Sequence, residues 1–381
     1  MKQPSTFKLQ PSKLKVAIVH DWLYGGGAEI VVEQLHQMFP DAPIYATFAT
    51  KEWRERLHNK VRTGPLGIWP FNKLHKFTGP LRILWYTSLK FNDYDLVISS
   101  SGAEAKGIKV PKNVLHINYC HAPTHYYWSR YEEYMTNPGL GIFDPVGRFF
   151  LWLLVKPLRR WDFKAAQRPN VMIANSTHIQ KEIKKYYKRD STVIFPPVYM
   201  ERFAKPENRR RKRKGLIISG RQTPYKRFDI AIVACTKLGI PLTVIGGGPD
   251  HSRLRKLAGR SVTFLGKVPD KVIEEEFASA SALIFPGLDD FGITPVEALA
   301  SGTPVIAYKA GGALDYIKPG VTGEFFDTQT AAALAKVLKN FNPQGYSSAA
   351  IRAYAQKFSK EAFRTKMSNF ITDELSRFTK R

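Results

Sequence analysis

Residues 289–302 read DDFGITPVEALASG and form the most specific motif of the sequence. It follows the apolar run ALIF at residues 282–285 through a short loop. Pro295 suits the first turn of a helix, and Gly302 suits the residue just past a helix end. The pattern therefore predicts a strand, a turn and a helix whose first backbone amides are free to bind an anion. These amides would belong to Phe291, Gly292, Ile293 and Thr294.

Glu297 falls near the first turn of this predicted helix. Its carboxylate could accept hydrogen bonds from the hydroxyls of a ribose. It could also be present only because the helix dipole favours an acidic side chain near a helix N-terminus. The second interpretation accounts for Glu297 but not for the rest of the stretch.

The same alternation of apolar runs and amphipathic segments extends through the chain. Strands are predicted at residues 15–20, 44–49, 96–100, 114–119, 171–174 and 192–195 in the first half, and at 215–219, 242–245, 262–265, 282–285, 304–307 and 324–326 in the second. Continuous apolar runs are typical of parallel strands buried on both faces. The expected fold class is α/β, with two doubly wound, Rossmann-like domains.

The boundary between the two predicted domains is marked by Pro196 and Pro197 and by a basic run. Residues 205–214 carry seven basic side chains against the single acid Glu207. We therefore expect a first domain at residues 1–198, a basic linker at 199–214 and a second domain at 215–360. Residues 361–381 have apolar side chains at helical spacing and are expected to form a terminal helix.

Two further motifs follow predicted strands. Gly25, Gly26 and Gly27 lie between the strand at 15–20 and a helical pattern at 30–39, where glycine lets backbone amides approach a phosphate. Their spacing is not that of a dinucleotide fingerprint, and a turn without a ligand remains an alternative. Arg221 and Lys226 follow the strand at 215–219, where they could hold a diphosphate or simply form a solvated basic loop.

Taken in order, these motifs resemble those of the retaining glycosyltransferases with the GT-B fold, family 4. Asp289 and Glu297 match the family's E-x7-E signature, with Asp in place of the usual first Glu. Arg221 and Lys226 stand where the family has its diphosphate-binding Arg-x4-Lys pair. The resemblance also covers the glycine loop at 25–27, the ANS at 174–176 and the segment LGKV at 265–268, which includes Val268 and whose backbone contacts the nucleobase in the family.

The resemblance implies a GT-B architecture in which two Rossmann-like domains face a cleft. The first would bind the acceptor, the second would bind the donor, and the last helix would pack back on the first domain. It also implies metal-independent transfer with retention and no cofactor. Asp289 would contact a donor-sugar hydroxyl and Glu297 the ribose. The charge of the leaving diphosphate would be stabilised by Arg221, Lys226 and backbone amides of Gly26, Gly27, Ile293 and Thr294.

The segment YCHAP at 119–123 makes the expected activity more specific. Together with HDW at 20–22, the triple glycine and the aromatic residues at 126–128, it is similar to bacterial mannosyltransferases of polysaccharide assembly. In that family the histidine at position 121 points at the transferred sugar, which implies a catalytic role for His121. The implied donor is GDP-mannose and the implied acceptor is a lipid-linked oligosaccharide. A UDP-sugar donor, an epimerase or phosphorylase on the same fold, and a non-catalytic binding module remain alternatives.

No metal site is expected from the sequence. Asp93 and Asp95 spell the D-x-D of metal-dependent glycosyltransferases, but they stand directly before the strand at 96–100 and are expected in a turn. The nine histidines and two cysteines do not show metal-ligand spacing. Two cysteines are also too few for a disulfide framework, which indicates a reducing compartment.

The net charge of +26 indicates a nucleic acid, an anionic membrane or a phosphate-bearing ligand as partner. Residues 147–168, GRFFLWLLVKPLRRWDFKAAQR, join an aromatic run to six basic residues, with Asp162 as the single acid. They predict contact with anionic lipid, although a core helix with a basic outer face is an alternative. Residues 209–214 lack interleaved aromatic residues, so no nucleic acid partner is expected. We therefore expect a cytoplasmic enzyme attached peripherally to the inner face of the cell membrane.

Overall fold

The computed structural model describes residues 14–69, 78–136, 138, 141–203 and 213–380, without the side chain of Ile142. The chain divides into two compact units. The first consists of Met1–Pro196 together with Phe363–Arg381, and the second is Pro197–Ala362.

The first unit is built on a seven-stranded parallel sheet. In chain order its strands are β1 (Val16–His20), β2 (Ile44–Ala46), β3 (Val61–Thr63), β4 (Leu96–Ser101), β5 (Leu115–Cys120), β6 (Val171–Ala174) and β7 (Thr192–Val193). Across the sheet the order is β3-β2-β1-β4-β5-β6-β7. The chain therefore runs outward from β1 in one direction and then returns to the other side of β1, which creates a switch point between β1 and β4.

Helices cover both faces of this sheet. They are α1 (Ala28–Met38), α2 (Lys51–Arg56), α3 (Gly79–Ser88), α4 (Tyr131–Thr136), α5 (Asp144–Ala166) and α6 (Thr177–Tyr187). One face packs against α1, and the opposite face packs against Tyr86 of α3 and Phe91. Burial on both faces explains why the central strands β1, β4 and β5 are fully buried.

The second unit repeats the plan with a six-stranded parallel sheet. Its strands are β8 (Leu216–Ser219), β9 (Leu242–Ile245), β10 (Val262–Gly266), β11 (Ala282–Phe285), β12 (Val305–Tyr308) and β13 (Gly323–Phe326). Their order is β10-β9-β8-β11-β12-β13, so the switch point lies between β8 and β11. The helices are α7 (Met200–Phe203), α8 (Phe228–Leu238), α9 (His251–Leu257), α10 (Asp270–Ser279), α11 (Ile293–Ala300), α12 (Ala313–Tyr316), α13 (Ala331–Asn340), α14 (Ser348–Ala355) and α15 (Lys360–Phe378).

The predicted fold class is confirmed, because both sheets are parallel and doubly wound. Each of the twelve predicted strand segments overlaps an observed strand. β3 was not predicted, since its three residues VRT have one buried apolar side chain, Val61, and no apolar run. The helix of the opening stretch is α11, with Pro295 in its first turn and Gly302, at φ 81°, just after its end.

The predicted linker differs from what the structure describes. Residues 199–203 and 213–214 belong to the second unit, and Met200–Phe203 form the short helix α7. Residues 204–212, with most of the basic run, lie outside the described residues. At the other end, α15 starts in the second unit and continues into the first, where it buries Phe363, Met367 and Ile371 in the core.

Candidate functional site

The start of α11 lies at the carboxyl edge of the second sheet, where open α/β sheets bind ligands. Gly292 precedes α11 with a φ of 93°, which L-residues rarely adopt. A Cβ atom there would also lie 2.8 Å from the Tyr316 hydroxyl oxygen, so this turn requires glycine. The amides of Ile293 and Thr294 precede the first intrahelical bond, and they find no acceptor within the described residues.

Phe291 contributes its ring to the core rather than to an open surface. Its side chain is 3% exposed and packs against the rings of Tyr316 and Phe358, at centroid distances of 5.8 and 5.6 Å. This packing anchors the turn that presents the start of α11. The backbone of Gly312 lies against Phe291, because a Cβ atom at Gly312 would be 2.3 Å from the Phe291 carbonyl oxygen.

Glu297 is a half-buried carboxylate in the second turn of α11. Burial raises the pKa of Glu297 to about 7; the positive charge of Arg202 opposes this shift and the negative charge of Asp270 adds to it. Its side chain makes no hydrogen bond or ion pair with any residue that the structure describes. A carboxylate held this way has both oxygens available for a ligand.

Lys226 and Asp289 form an ion pair at the same edge. Lys226 follows β8 and Asp289 follows β11, and these two strands are neighbours in the sheet. The second carboxylate oxygen of Asp289, Oδ1, is buried without a hydrogen-bond partner among the described residues. The Lys226 ammonium also lies 5.7 Å from the centroid of the Phe285 ring. The structure thus joins two predicted site residues into one charged pair with one open acceptor.

Arg221 is exposed at the start of the same loop. Its guanidinium forms no hydrogen bond or ion pair with the described residues, so it is available to an anionic ligand. Val268 is half-buried just after β10 and stands at the same carboxyl edge, two strands away from β8.

Gln222 holds two loops together at this edge and was missed by sequence reasoning. It is fully buried, its Nε2 donates to the Gly246 carbonyl at 2.9 Å, and its Oε1 is 2.7 Å from the His251 Nδ1. The approach is so close that a Cβ atom at Gly248 would lie 2.3 Å from the Gln222 carbonyl oxygen. The run of glycines at residues 246–248 is typical of a tight turn, but nothing in the sequence identifies Gln222 as the partner of that turn.

The glycine loop of the first unit lies after β1 and before α1. Gly25 has a φ of 123° and donates its amide to the Glu29 carboxylate at 3.0 Å. The amides of Gly26 and Gly27 have no acceptor within the described residues. The structure therefore differs from the expectation for Gly25, since Glu29 already occupies its amide, whereas Gly26 and Gly27 remain available for an anion.

His121 directly follows β5 at the carboxyl edge of the first sheet. Its Nε2 is 2.8 Å from the Ser100 Oγ, and its ring centroid is 6.0 Å from that of His20. Asn175 donates to the His121 carbonyl at 2.9 Å, while Ser176 caps α6 through the Ile179 amide. Thus the ANS segment positions the backbone of His121.

A buried charge network supports this edge. The Asp21 carboxylate accepts hydrogen bonds from the amides of Gly102, Ala103 and Ala105 at 2.8–2.9 Å. Burial, together with the charge of Glu104, raises the pKa of Asp21. Glu104 in turn forms a bidentate pair with Arg82. Sequence reasoning quoted Asp21 but did not find Glu104, because its role depends on a turn that the sequence does not mark.

The described residues do not include a group of three or more His, Cys, Asp or Glu side chains that could hold a metal ion. Asp95 of the D-x-D segment precedes β4, and its Oδ2 accepts from the Lys15 amide at 2.9 Å.

Each half of the chain matches a family model of glycosyltransferases. Residues 25–202 match Glycosyltransferase Family 4, and residues 200–358 match Glycosyl transferases group 1. Among solved structures, the chain is similar to HepE of Anabaena in complex with UDP. The two superpose with a TM-score of 0.68 and 17% sequence identity, and the match covers 94% of this chain and all of HepE. This likeness concerns the fold.

Three curated relatives are similar over part of the chain. The D-inositol 3-phosphate glycosyltransferase of Streptomyces scabiei is 31% identical over 47% of this chain and 46% of its own. The phosphatidyl-myo-inositol mannosyltransferase of Mycobacterium leprae is 28% identical over 47% of this chain and 46% of its own length. The GDP-mannose-dependent alpha-mannosyltransferase of Mycolicibacterium smegmatis is 33% identical over 28% of this chain and 29% of its own length. The matched region thus spans about half the length of the first of these relatives.

Proposed function

Because the chain belongs to the group 1/family 4 glycosyltransferases through both of its domains, we propose that it transfers mannose from GDP-mannose to a lipid-linked glycan. The observation that carries this proposal is the arrangement at the carboxyl edge of the second sheet. There, the Lys226–Asp289 pair and the exposed Arg221 follow the neighbouring strands β8 and β11, and the helix after β11 carries both the free first amides of α11 and the unpaired carboxylate of Glu297.

The reaction we propose breaks the bond between the anomeric carbon of the sugar and the diphosphate, and forms a bond from that carbon to a hydroxyl oxygen of the acceptor. Negative charge accumulates on the leaving diphosphate, which takes the proton of that hydroxyl. Lys226, Arg221 and the amides of Ile293 and Thr294 are the groups that would stabilise this charge. Donors fixed before the reaction stabilise a transition state without reorganisation, and each is typically worth a few kcal/mol. In this proposal no metal ion is required, and the anomeric configuration is retained.

The carboxylates have separate roles in this proposal. Glu297 binds the ribose hydroxyls, and the open Oδ1 of Asp289 binds a hydroxyl of the donor sugar while Lys226 holds its other oxygen. In the first unit, His121 contacts the transferred sugar, and the amides of Gly26 and Gly27 contact the diphosphate. Asp in place of Glu at position 289 leaves a shorter side chain, which suits a carboxylate already fixed by Lys226.

The donor and the acceptor are supported by the names of relatives. The Mycolicibacterium relative is GDP-mannose-dependent, and the Mycobacterium relative acts on a phosphatidyl-inositol lipid. A UDP-sugar is the second candidate donor, since the HepE structure contains UDP. A lipid-linked acceptor would place the reaction at a membrane, and we propose peripheral attachment to its cytoplasmic face. None of the described helices is long and apolar enough to cross a bilayer.

A thermal-shift panel of GDP, UDP, ADP and their sugar conjugates, in the presence of a chelator, tests this function. A ligand that binds only the folded state raises its apparent stability. We expect shifts with GDP and GDP-mannose alone. Thermal shifts with UDP compounds instead would support the same mechanism and exclude GDP-mannose as the donor. The absence of any shift would reject the donor site and favour a non-catalytic module. Turnover of the donor without acceptor, or only with phosphate, would favour an epimerase or a phosphorylase.

A further inference from the structure

The first half of α5 carries a patch of large apolar side chains on the surface of the first unit. We call residues 143–154 the apolar segment. Its exposed apolar residues, each between 38% and 62% exposed, are Phe143, Val146, Phe149, Phe150, Trp152, Leu153 and Leu154. The buried residues of α5 all lie in the second half of the helix, from Val155 onward. A contiguous apolar patch of this size on a solvent-exposed surface indicates a site of contact with a protein or a membrane.

The charges around the apolar segment are basic. Of the two acids in α5, Asp162 is buried, which leaves Asp144 in the first turn as one acid against four exposed bases. The exposed basic residues of α5 are Arg148, Lys156, Arg160 and Lys164, and the neighbouring α6 adds Lys181, Lys184 and Lys185. The partner of this surface must therefore be apolar in its interior and negatively charged at its boundary. An anionic lipid bilayer has this chemistry.

A second copy of the chain does not suit this surface, because pairing two such helices would bring their basic residues together in a protein of net charge +26. The segment is also too short to cross a bilayer. Its twelve residues span about 18 Å as a helix, against a hydrocarbon core of about 30 Å. A helix of this kind lies in the plane of the interface, with aromatic rings at the boundary of the headgroups and acyl chains.

The second half of α5 is fixed to the loop that follows His121. The Asp162 carboxylate accepts hydrogen bonds from Thr124 Oγ1 at 2.8 Å and from Trp128 Nε1 at 2.7 Å. It also pairs with Lys106 at 2.7 Å, and both side chains are completely buried. Arg159 donates to the Tyr127 carbonyl and lies 5.4 Å from the centroid of the Trp128 ring. One continuous helix, with Pro157 inside it, therefore connects the apolar segment to the residues that follow His121.

We infer that α5 docks the protein on an anionic bilayer, with the apolar segment in the headgroup boundary, and that it brings the loop after His121 close to the lipid. The inference rests on the proposed membrane-bound acceptor for its purpose, since a sugar on a lipid would be presented beside this loop. Vesicle binding does not depend on sugar transfer, so the two proposals can fail separately.

Binding of the full-length protein to vesicles tests the inference. The probes are vesicles of phosphatidylcholine alone and of phosphatidylcholine with an equal amount of phosphatidylglycerol, studied by flotation. We expect strong binding only to the anionic vesicles, and a loss of at least about tenfold in partition coefficient for F149S/F150S/W152S, because three interfacial anchors are removed. These side chains are more than half exposed, so the fold should persist, and thermal unfolding checks this.

A matched control removes exposed apolar side chains elsewhere. The variant V233S/L257S/L314S changes three aliphatic side chains of the second unit that are 37%, 37% and 46% exposed, and it should bind vesicles as the wild type does. Insertion of Trp152 is measured with vesicles that contain brominated lipids, which quench tryptophan fluorescence on contact. These vesicles should quench the tryptophan fluorescence of the wild type more strongly than that of W152F. The W152F variant keeps an aromatic anchor and should still bind.

Three results would overturn the inference. They are an absence of wild-type binding to anionic vesicles, equal binding by F149S/F150S/W152S, and equal quenching of wild type and W152F. Sedimentation that shows a wild-type dimer dissociated by F149S/F150S/W152S would assign the surface to a second copy instead. A nucleotide-induced thermal shift without vesicle binding would leave the proposed transferase intact and reject only α5 as the docking element.

Discussion

At the scale of single residues, the proposed transfer depends most on Lys226, because the structure fixes this cation against Asp289, the other predicted charged residue of the site. Its replacement would remove a donor to the leaving diphosphate and would also leave both oxygens of Asp289 without a partner. The two effects act on different quantities. The first reduces turnover, and the second destabilises the fold by burying an unpaired charge.

We expect Lys226→Ala and Glu297→Ala each to lower turnover of the sugar donor at least about a hundredfold, which is the size of effect reported for single preorganised groups. The measurement is steady-state release of the nucleotide, with folding checked by thermal unfolding. Lys237→Ala, which removes an exposed lysine from the last turn of α8, is the matched control and should keep wild-type turnover. A folded Lys226→Ala protein with near-normal turnover would exclude the proposed role.

Glu297 also provides a pH-dependent prediction. Burial raises its pKa to about 7, from 4.5 for an ordinary Glu. A carboxyl group with a raised pKa in the folded state stabilises the fold fully below its unfolded pKa, and this contribution is lost as the pH rises through the folded pKa. Glu297→Gln stays neutral throughout. We therefore expect its melting temperature, relative to wild type, to increase between pH 5 and pH 8.

The control for this comparison is Glu361→Gln, which changes an exposed carboxylate in the first turn of α15. Its difference from wild type should not change over the same pH range. A constant difference for Glu297→Gln would contradict the raised pKa of Glu297, whereas a growing one would identify Glu297 as a destabilising group kept for binding.

At the scale of elements, adjacent glycines after β9 meet different surroundings. A Cβ atom at Gly248 would lie 2.3 Å from the Gln222 carbonyl oxygen, whereas a Cβ atom at Gly247 would meet nothing within 4 Å. We expect Gly248→Ala to lower the free energy of unfolding by about 1–3 kcal/mol, as for other overpacked sites. Gly247→Ala should change it by less than about 0.5 kcal/mol. Denaturant unfolding of both variants measures the difference.

The same pair also tests the site. The Gly248 contact fixes the loop that carries Arg221, so Gly248→Ala should weaken nucleotide binding in the thermal-shift assay, and Gly247→Ala should not. Similar behaviour of the two variants, in stability and in binding, would show that the loops at residues 220–226 and 246–250 are not held by this contact.

The elements were predictable from sequence where burial imposes a pattern. The strands β6, β9 and β11 coincide with their predicted segments, because a parallel strand covered on both faces is largely apolar along its length. β3 escaped prediction because it is a short edge strand with little burial. The α11 boundaries followed from Pro295 and Gly302, which act locally on the backbone.

Contacts between distant segments were not predictable in the same way. The Lys226–Asp289 pair joins residues 63 positions apart, and its formation depends on β8 and β11 being neighbours in the sheet. The hydrogen bond from the Gly25 amide to the Glu29 carboxylate depends on a side-chain conformation that residue type alone does not determine. Sequence motifs thus selected the residues of the candidate site, but their pairings required the order of the strands.

At the scale of the whole molecule, the last helix contributes to the core of the first unit. Phe363, Met367 and Ile371 are at most 2% exposed there, and Phe363 packs on Tyr119 at a centroid distance of 6.0 Å. We expect Met367→Ala to lower the free energy of unfolding by about 2–5 kcal/mol, as for other buried Met-to-Ala changes. Denaturant unfolding provides the measurement.

Thr365→Ala changes an exposed position on the same helix and should be nearly neutral. If the two units unfold in separate transitions, Met367→Ala should shift only the transition that GDP does not shift, because the proposed donor residues Lys226, Asp289 and Glu297 belong to the second unit. Loss of stability in the GDP-sensitive transition would instead assign α15 to the stability of the second unit.

The division of the chain has a consequence for the order of events during synthesis on the ribosome. The second unit is one continuous segment, Pro197–Ala362, whereas the first unit needs residues 363–378, which are made later. Domains usually complete folding in the order of their synthesis. Here the order is reversed, because the unit that begins first must keep the surface for Phe363, Met367 and Ile371 open until the other has been translated. A nascent chain stalled before residue 363 would therefore expose this apolar surface to chaperones.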